Sequence, residues 1–134
     1  MTPTYQTTKS AGADIAASED VVIKPGRIKL VPTGVYLTEE NKDGVGAFLL
    51  FARSSLAYRK GLILANGVGL IDVDYDGEVK VMLLNSSNLT KTISKGERIA
   101  QLVGVHIEAL PLVNGFASEE NDRTGGFGST GRSS

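Results

Sequence analysis

The sequence predicts an all-β fold: a jelly-roll-like β-barrel followed by a flexible, glycine-rich C-terminal arm. Three observations carry this reading. Short apolar segments recur at close spacing between turn signals, 16 glycines are spread along 134 residues, and the apolar pattern almost nowhere runs at helical spacing. Many short strands broken by turns suit a sandwich or barrel, because each strand buries one face and then reverses. The barrel is assigned to residues 1–113 and the arm to residues 114–134.

The elements follow in order. The apolar run at 21–23 leads into Pro25-Gly26, and the run at 28–31 leads into Pro32-Thr33-Gly34, both of which carry turn chemistry. A strand over 35–37 opens onto a polar stretch at 38–46 that reads as a hairpin loop. Residues 47–51 are wholly apolar and read as a buried strand, and 54–60 is the one place where a short helical turn fits. In Asn66-Gly67-Val68-Gly69-Leu70-Ile71-Asp72, a strand delivers Asp72 to the point where buried backbone meets the next turn, with a strand returning beyond it. The glycines let the main chain approach a ligand closely, so this reads either as a site whose acid acts as a base or as a solvated hairpin with an acidic tip. Residues 79–84 alternate and then turn wholly apolar. Thr92-Ile93-Ser94 meets the turn Lys95-Gly96-Glu97, and 99–107 returns as a long strand. Residues 2–8 form either a swapped strand or a loose end.

Composition excludes several classes of function. Its 14 basic and 15 acidic side chains give a net charge of -1, which leaves no basic footprint for duplex nucleic acid or an anionic membrane. A polyanionic ligand has to be met locally. The absence of cysteine removes a disulfide framework, a thiolate zinc site and a cysteine nucleophile. No apolar run approaches the roughly 18 to 20 residues of a membrane span, and Met1-Thr2-Pro3-Thr4 lacks the charged start and apolar core of a signal peptide. The expectation is a soluble, intracellular, cytoplasmic protein of one domain, with neither membrane nor direct nucleic-acid binding.

Residues 114–134 are different in kind. They hold little apolar material beyond Phe116, Ala117 and Phe127, and include Gly125-Gly126-Phe127-Gly128-Ser129-Thr130-Gly131. Each glycine costs about 0.5 to 1 kcal/mol more to order than alanine. Such a segment is either a disordered tail or a closing flap. In a flap, the phenyl ring stacks on a base while backbone N–H groups, Arg123, Ser129 and Thr130 reach phosphates.

Five segments, in order, resemble the five motifs of the trimeric deoxyuridine triphosphate nucleotidohydrolases, the dUTPases. They are Ala11-Gly12-Ala13-Asp14-Ile15, Ala52-Arg53-Ser54-Ser55-Leu56, Gly69-Leu70-Ile71-Asp72-Val73-Asp74-Tyr75-Asp76-Gly77-Glu78, Gly96-Glu97-Arg98-Ile99-Ala100-Gln101-Leu102, and the run from Arg123 to Gly131. Together they span almost the whole chain. One departure concerns the last motif, which has one residue fewer between the arginine and the glycines than the family usually carries.

The resemblance implies hydrolysis of dUTP to dUMP and pyrophosphate by a homotrimer whose sites are shared among chains. It implies that Asp72 orients and deprotonates a water aimed at the α-phosphorus. It places Arg53, Ser54, Ser55 and Gln101 on the phosphates, and Asn66, Gly69 and Ile71 along the edge of uracil. Tyr75 lies beneath the deoxyribose and leaves no room for a 2′-hydroxyl, while Arg123, Phe127, Gly128 and Ser129 close the site from the arm. Mg2+ bridges the phosphate oxygens while keeping several waters, with Asp14 supporting it indirectly, through water, or supporting the strand beside it. Asp74 and Glu78 keep hairpin and subunit contacts. Each residue also has a plainer reading: Arg53 in a surface pair, Ser54 capping a short helix over 55–60, Gln101 exposed on a strand. His106, the only histidine, reads as an exposed strand position. Two other functions fit the same architecture: a dCTP deaminase-like enzyme, which needs a glutamate and a different base pocket, and a regulator that senses dUTP without hydrolysing it.

Overall fold

The protein's structure, a computed structural model, describes residues 2–111. Its strands are β1 (Ala13–Ala16), β2 (Val21–Ile23), β3 (Ile28–Val35), β4 (Ala47–Ala52), β5 (Leu62–Leu64), β6 (Gly69–Asp72), β7 (Val79–Asn85), β8 (Lys91–Ile93) and β9 (Arg98–Val105). They form a four-stranded sheet in the order β1-β9-β4-β6, a three-stranded sheet in the order β3-β7-β5, and the pair β2-β8. Every pairing is antiparallel. This is the jelly-roll-like, nearly all-strand architecture that the turn spacing predicts.

Period-two alternation sets which side chains go inside. On β7, Val79, Val81, Leu83 and Asn85 are buried while Lys80 is exposed, as a half-buried strand requires. The core gathers Ile15, Ile23, Val31, Leu62, Leu83, Ile93 and Ile99, each stabilising the fold by about 1.5 to 3 kcal/mol through burial. Asn85 is polar and fully buried. Its Nδ2 donates to the carbonyls of Ile23 and Leu89, both at 2.8 Å, and its Oδ1 accepts from the Ser87 N–H at 2.9 Å and the Ser87 hydroxyl at 2.7 Å. The side chain thereby fastens β7 to β2 with its hydrogen-bonding capacity filled.

The structure departs from the sequence reading in several places. Pro32-Thr33-Gly34 does not end a strand. β3 continues to Val35, and its register against β7 jumps from Pro32↔Lys80 to Val35↔Val79, leaving Thr33 and Gly34 as a bulge. The polar stretch 38–46 contains a short helix, α1 (Glu39–Lys42), with a capping box in which the Asn41 N–H donates to Thr38 Oγ1 at 3.2 Å and the Thr38 N–H donates to Asn41 Oδ1 at 2.9 Å. No strand returns directly after Asp72: the Tyr75 N–H closes a turn on the Asp72 carbonyl at 3.1 Å, and β6 takes β4 as its partner instead. β9 ends at Val105, so His106 is exposed beyond the strand. The helical turn at 54–60 is present as a π-helical turn, Leu56–Lys60, ended by Gly61 at φ 69°. Near the N-terminus, Thr4 pairs with Asp14 as an isolated bridge. No helix of the described residues is long and apolar enough to cross a membrane.

Candidate active site

One half of the predicted site forms where β1, β9 and β4 lie side by side. The register sets Asp14 opposite Gln101 and Gln101 opposite Phe51, and Arg53 follows the last residue of β4. Asp14 is only 3% exposed. Its Oδ2 accepts from Gln6 Nε2 at 2.7 Å and lies 4.0 Å from Arg98 Nη1, while its Oδ1 lies 4.0 Å from Arg53 Nε. Among the described residues, Oδ1 has no hydrogen-bond donor. A buried carboxylate is costly unless opposite charge surrounds it, and the two guanidiniums supply that charge. The reciprocal effect is that Arg53 and Arg98 are held at the rim.

That rim opens onto a cleft of about 550 Å³, whose lining includes Arg53, Ser55, Arg59, Lys60, Glu97 and Arg98. Lys60 is engaged, its Nζ 2.8 Å from Glu97 Oε2 and donating to the Thr92 carbonyl at 2.8 Å. Arg53, Arg59 and Arg98 thus give the cleft an excess of planar, multiply donating cations, which suits phosphate oxygens. Ser54 and Ser55 are exposed beside them. It is Ser55, not Ser54, that occupies the cap position of the π-helical turn, and its side chain makes no capping bond.

The other half forms at the far edge of the same sheet. Gly69 is buried against β4, where an added Cβ would stand 3.1 Å from Leu50 Cβ, so the close strand approach depends on glycine. Asn66 is exposed at a turn in which Gly67 takes φ 76° and the Val68 N–H donates to the Asn66 carbonyl at 2.8 Å. Ile71 is half-buried against the core. Asp72 is exposed at the end of β6, and the Tyr75 hydroxyl donates to the Glu78 carbonyl at 2.9 Å. Glu78 turns its carboxylate inward to β3, where Oε2 accepts from the N–H groups of Thr33 at 3.1 Å and Gly34 at 2.8 Å.

These two halves do not meet within one chain. Asp72 stands opposite Ala47 at the start of β4, whereas Arg53 follows its end, so about 20 Å of extended strand separate them. Arg123, Phe127, Gly128 and Ser129, with the rest of the arm at 114–134, lie outside the described residues. Gln6, Arg59 and Arg98 are the site residues the sequence reading missed. Arg98 could have been found from its place three positions before Gln101 in the fourth motif, whereas nothing local marks Gln6. Among the described residues no three His, Asp or Glu side chains converge as metal ligands, and the one buried carboxylate is already faced by guanidiniums. The described residues do not fit a resident metal.

Comparison with known proteins places these features in a family. The dUTPase family model matches residues 1–131. The deoxyuridine 5′-triphosphate nucleotidohydrolase of Desulfitobacterium hafniense is 45% identical, over 96% of this chain and 86% of that protein. The crystal structure of the dUTPase from Streptococcus mutans is similar with a TM-score of 0.70 at 32% identity, covering 81% of this chain and 88% of that one. A mutant dUTPase of Staphylococcus bacteriophage 80alpha, solved with dUpNHpp, is similar with a TM-score of 0.70 at 27% identity, covering 96% of this chain and 90% of that one. With a family model matched over residues 1–131 and a relative of this identity over 96% of the chain, the chain belongs to the dUTPase family.

Proposed function

We propose that the protein hydrolyses dUTP to dUMP and pyrophosphate, at sites built from more than one copy of the chain. The observation that carries the second half of this reading is the separation of Asp72 from Arg53 by the length of β4. A water activated by Asp72 has to reach an α-phosphorus whose neighbouring phosphates rest on Arg53, Ser54 and Gln101, and about 20 Å is too far for one triphosphate to bridge in that manner. A second copy that brings its basic cleft to the Asp72 edge of the first removes the difficulty. The surface chemistry supports such association. Leu70 is 70% and Phe51 37% exposed on the outer face of the four-stranded sheet, and Ile28, Leu30 and Ile63 are exposed on the three-stranded one, apolar surface of the kind that copies of a chain cover. Family resemblance makes the assembly a homotrimer.

In this reading Asp72, exposed at a strand end, takes the proton of the attacking water as the new oxygen–phosphorus bond forms. The bond between the α-phosphorus and its bridging oxygen breaks, and pyrophosphate leaves. Arg53, with Arg98 and Arg59 in the same cleft, offsets the charge that moves onto the leaving group. Asp14 keeps Arg53 in place and stands apart from the chemistry. None of the described residues would hold magnesium, and an ion brought by the triphosphate itself would supply further neutralisation of phosphate charge beside these arginines. Asn66 and the exposed backbone of the 66–72 segment face the uracil edge, Tyr75 lies against the deoxyribose, and residues 123–129 close over the base. The reaction keeps uracil out of DNA and supplies dUMP for thymidylate synthesis.

The test is pyrophosphate release with dUTP, dCTP, dTTP and UTP in turn, with wild-type protein and Asp72→Asn. Release from dUTP alone, lost in the variant, supports the reading. Binding of dUTP without release contradicts it.

A further inference from the structure

Glu78 lies outside the residues that face substrate, yet its side chain and its carbonyl connect the bulge in β3 to the turn that carries Tyr75. The bulge at Thr33 and Gly34 points two successive N–H groups at one carboxylate oxygen of Glu78, at 3.1 and 2.8 Å. Successive N–H groups converging in this way form a concave anion site, here filled by a side chain from 45 residues away. The bulge itself is locked: Thr33 is fully buried, its hydroxyl donates to the Val79 carbonyl, and it accepts from the Val35 N–H at 3.1 Å. Gly34 sits at φ 69°, a conformation that favours glycine.

From Glu78 the connection continues into the site. Its carbonyl receives the Tyr75 hydroxyl at 2.9 Å, and the Tyr75 N–H returns to the Asp72 carbonyl at 3.1 Å. The ring of Tyr75 lies so closely over Gly77 that an added Cβ there would stand 2.5 Å from its oxygen and 2.7 Å from Cζ. Tyr75 is therefore fixed at both its backbone and its hydroxyl, and the hydroxyl's anchor is a residue whose own side chain is gripped by β3.

We propose that Glu78 is a positioning residue for sugar recognition: by holding the Thr33–Gly34 bulge it fixes the carbonyl on which Tyr75 hangs, and so sets how strongly the site rejects a 2′-hydroxyl. This rests on the reading of Tyr75 as the residue against the deoxyribose. A loosened ring gives way to a ribose, so the loss falls on discrimination more than on stability. A merely structural role would lower turnover of dUTP and UTP together and leave their ratio unchanged.

The experiment measures kcat and KM for dUTP and UTP with magnesium on the full chain, in wild type, Glu78→Ala, Glu78→Gln and Tyr75→Phe. The dUTP-to-UTP ratio of kcat/KM falls about tenfold in Glu78→Ala, the scale of a lost hydrogen bond to a charged group. It falls comparably in Tyr75→Phe and is largely restored in Glu78→Gln, which keeps an acceptor oxygen in place. Hydrogen exchange of the substrate-free protein supplies a second readout: Glu78→Ala speeds exchange at Thr33 and Gly34 and, with them, across 72–78. An unchanged ratio in folded Glu78→Ala or in Tyr75→Phe overturns the proposal, as does faster exchange at the bulge that does not extend to 72–78. A wild-type protein with no preference for dUTP sinks the reading of the site instead, and the exchange measurement still decides whether the bulge holds the loop.

Discussion

Asp14 and Asp72 are both strand aspartates in one sheet, but their surroundings are opposite in kind. Asp14 is buried between two guanidiniums and an amide, so its charge is spent on holding neighbours. Asp72 is exposed at a strand end, where a water and a phosphate can reach it. Replacing Asp72 with Asn keeps the shape and removes the proposed base, and is expected to lower kcat by about 10²- to 10⁴-fold while dUTP binding measured by calorimetry changes little. Asp14→Asn leaves Arg53 and Arg98 facing each other without an intervening negative charge. It is expected to lower stability by about 1 to 3 kcal/mol in urea unfolding and to raise KM for dUTP.

At the scale of elements, the joints between sheets are polar and specific. Asn85 is the strongest of them, because its amide and carbonyl serve four partners from inside the core. Asn85→Ala leaves the buried carbonyl of Ile23 without its donor, and is expected to cost about 2 to 3 kcal/mol with no change in the dUTP-to-UTP ratio, as read by denaturant midpoint and kinetics on the same sample. These joints also explain what the sequence could and could not show. Short apolar runs between turn signals mark β2, β4 and β7 closely, the Leu62-Ile63-Leu64 run holds the same signal for β5, and the turn Lys95-Gly96-Glu97 marks the end of β8. The bulge in β3 was hidden because Pro32-Thr33-Gly34 has the composition of a turn, and the partners that hold the continued strand there, the Glu78 carboxylate and the Val79 carbonyl, lie about 45 residues away. The helix α1 was legible in principle, through Thr38 and Asn41 at capping-box spacing with Glu39 and Glu40 in the first turn. In the candidate site, the five motifs point to Asp14, Arg53, Asp72 and Gln101, but Gln6 reaches Asp14 by a tertiary path for which the sequence has no local marker.

At the scale of the whole molecule, one chain holds the two halves of the proposed site apart. The strand β4 acts as a spacer: its first residue pairs with Asp72 and its last precedes Arg53. Exposed apolar side chains on both sheets are the surface on which the proposed association of copies would rest. The sequence could indicate this assembly only through family resemblance, since strand spacing and composition carry no record of distance between faces. Removing residues 123–134 is expected to lower turnover of dUTP far more than it changes the assembly measured by sedimentation, because the described strands supply the apolar surface. Equal turnover in the shortened chain contradicts that expectation.

The most direct measurement is complementation between two inactive variants. Asp72→Asn and Arg53→Ala proteins are purified separately, mixed in equal amounts, unfolded and refolded together, and assayed for pyrophosphate release from dUTP once mixed oligomers are confirmed by native mass spectrometry. If Asp72 and Arg53 of each site come from different copies, random mixing leaves about a quarter of the sites with both native residues, and activity returns to about that fraction of wild type. Mixed oligomers with no more activity than the separate variants would show that each site draws both residues from one chain, contrary to the separation along β4.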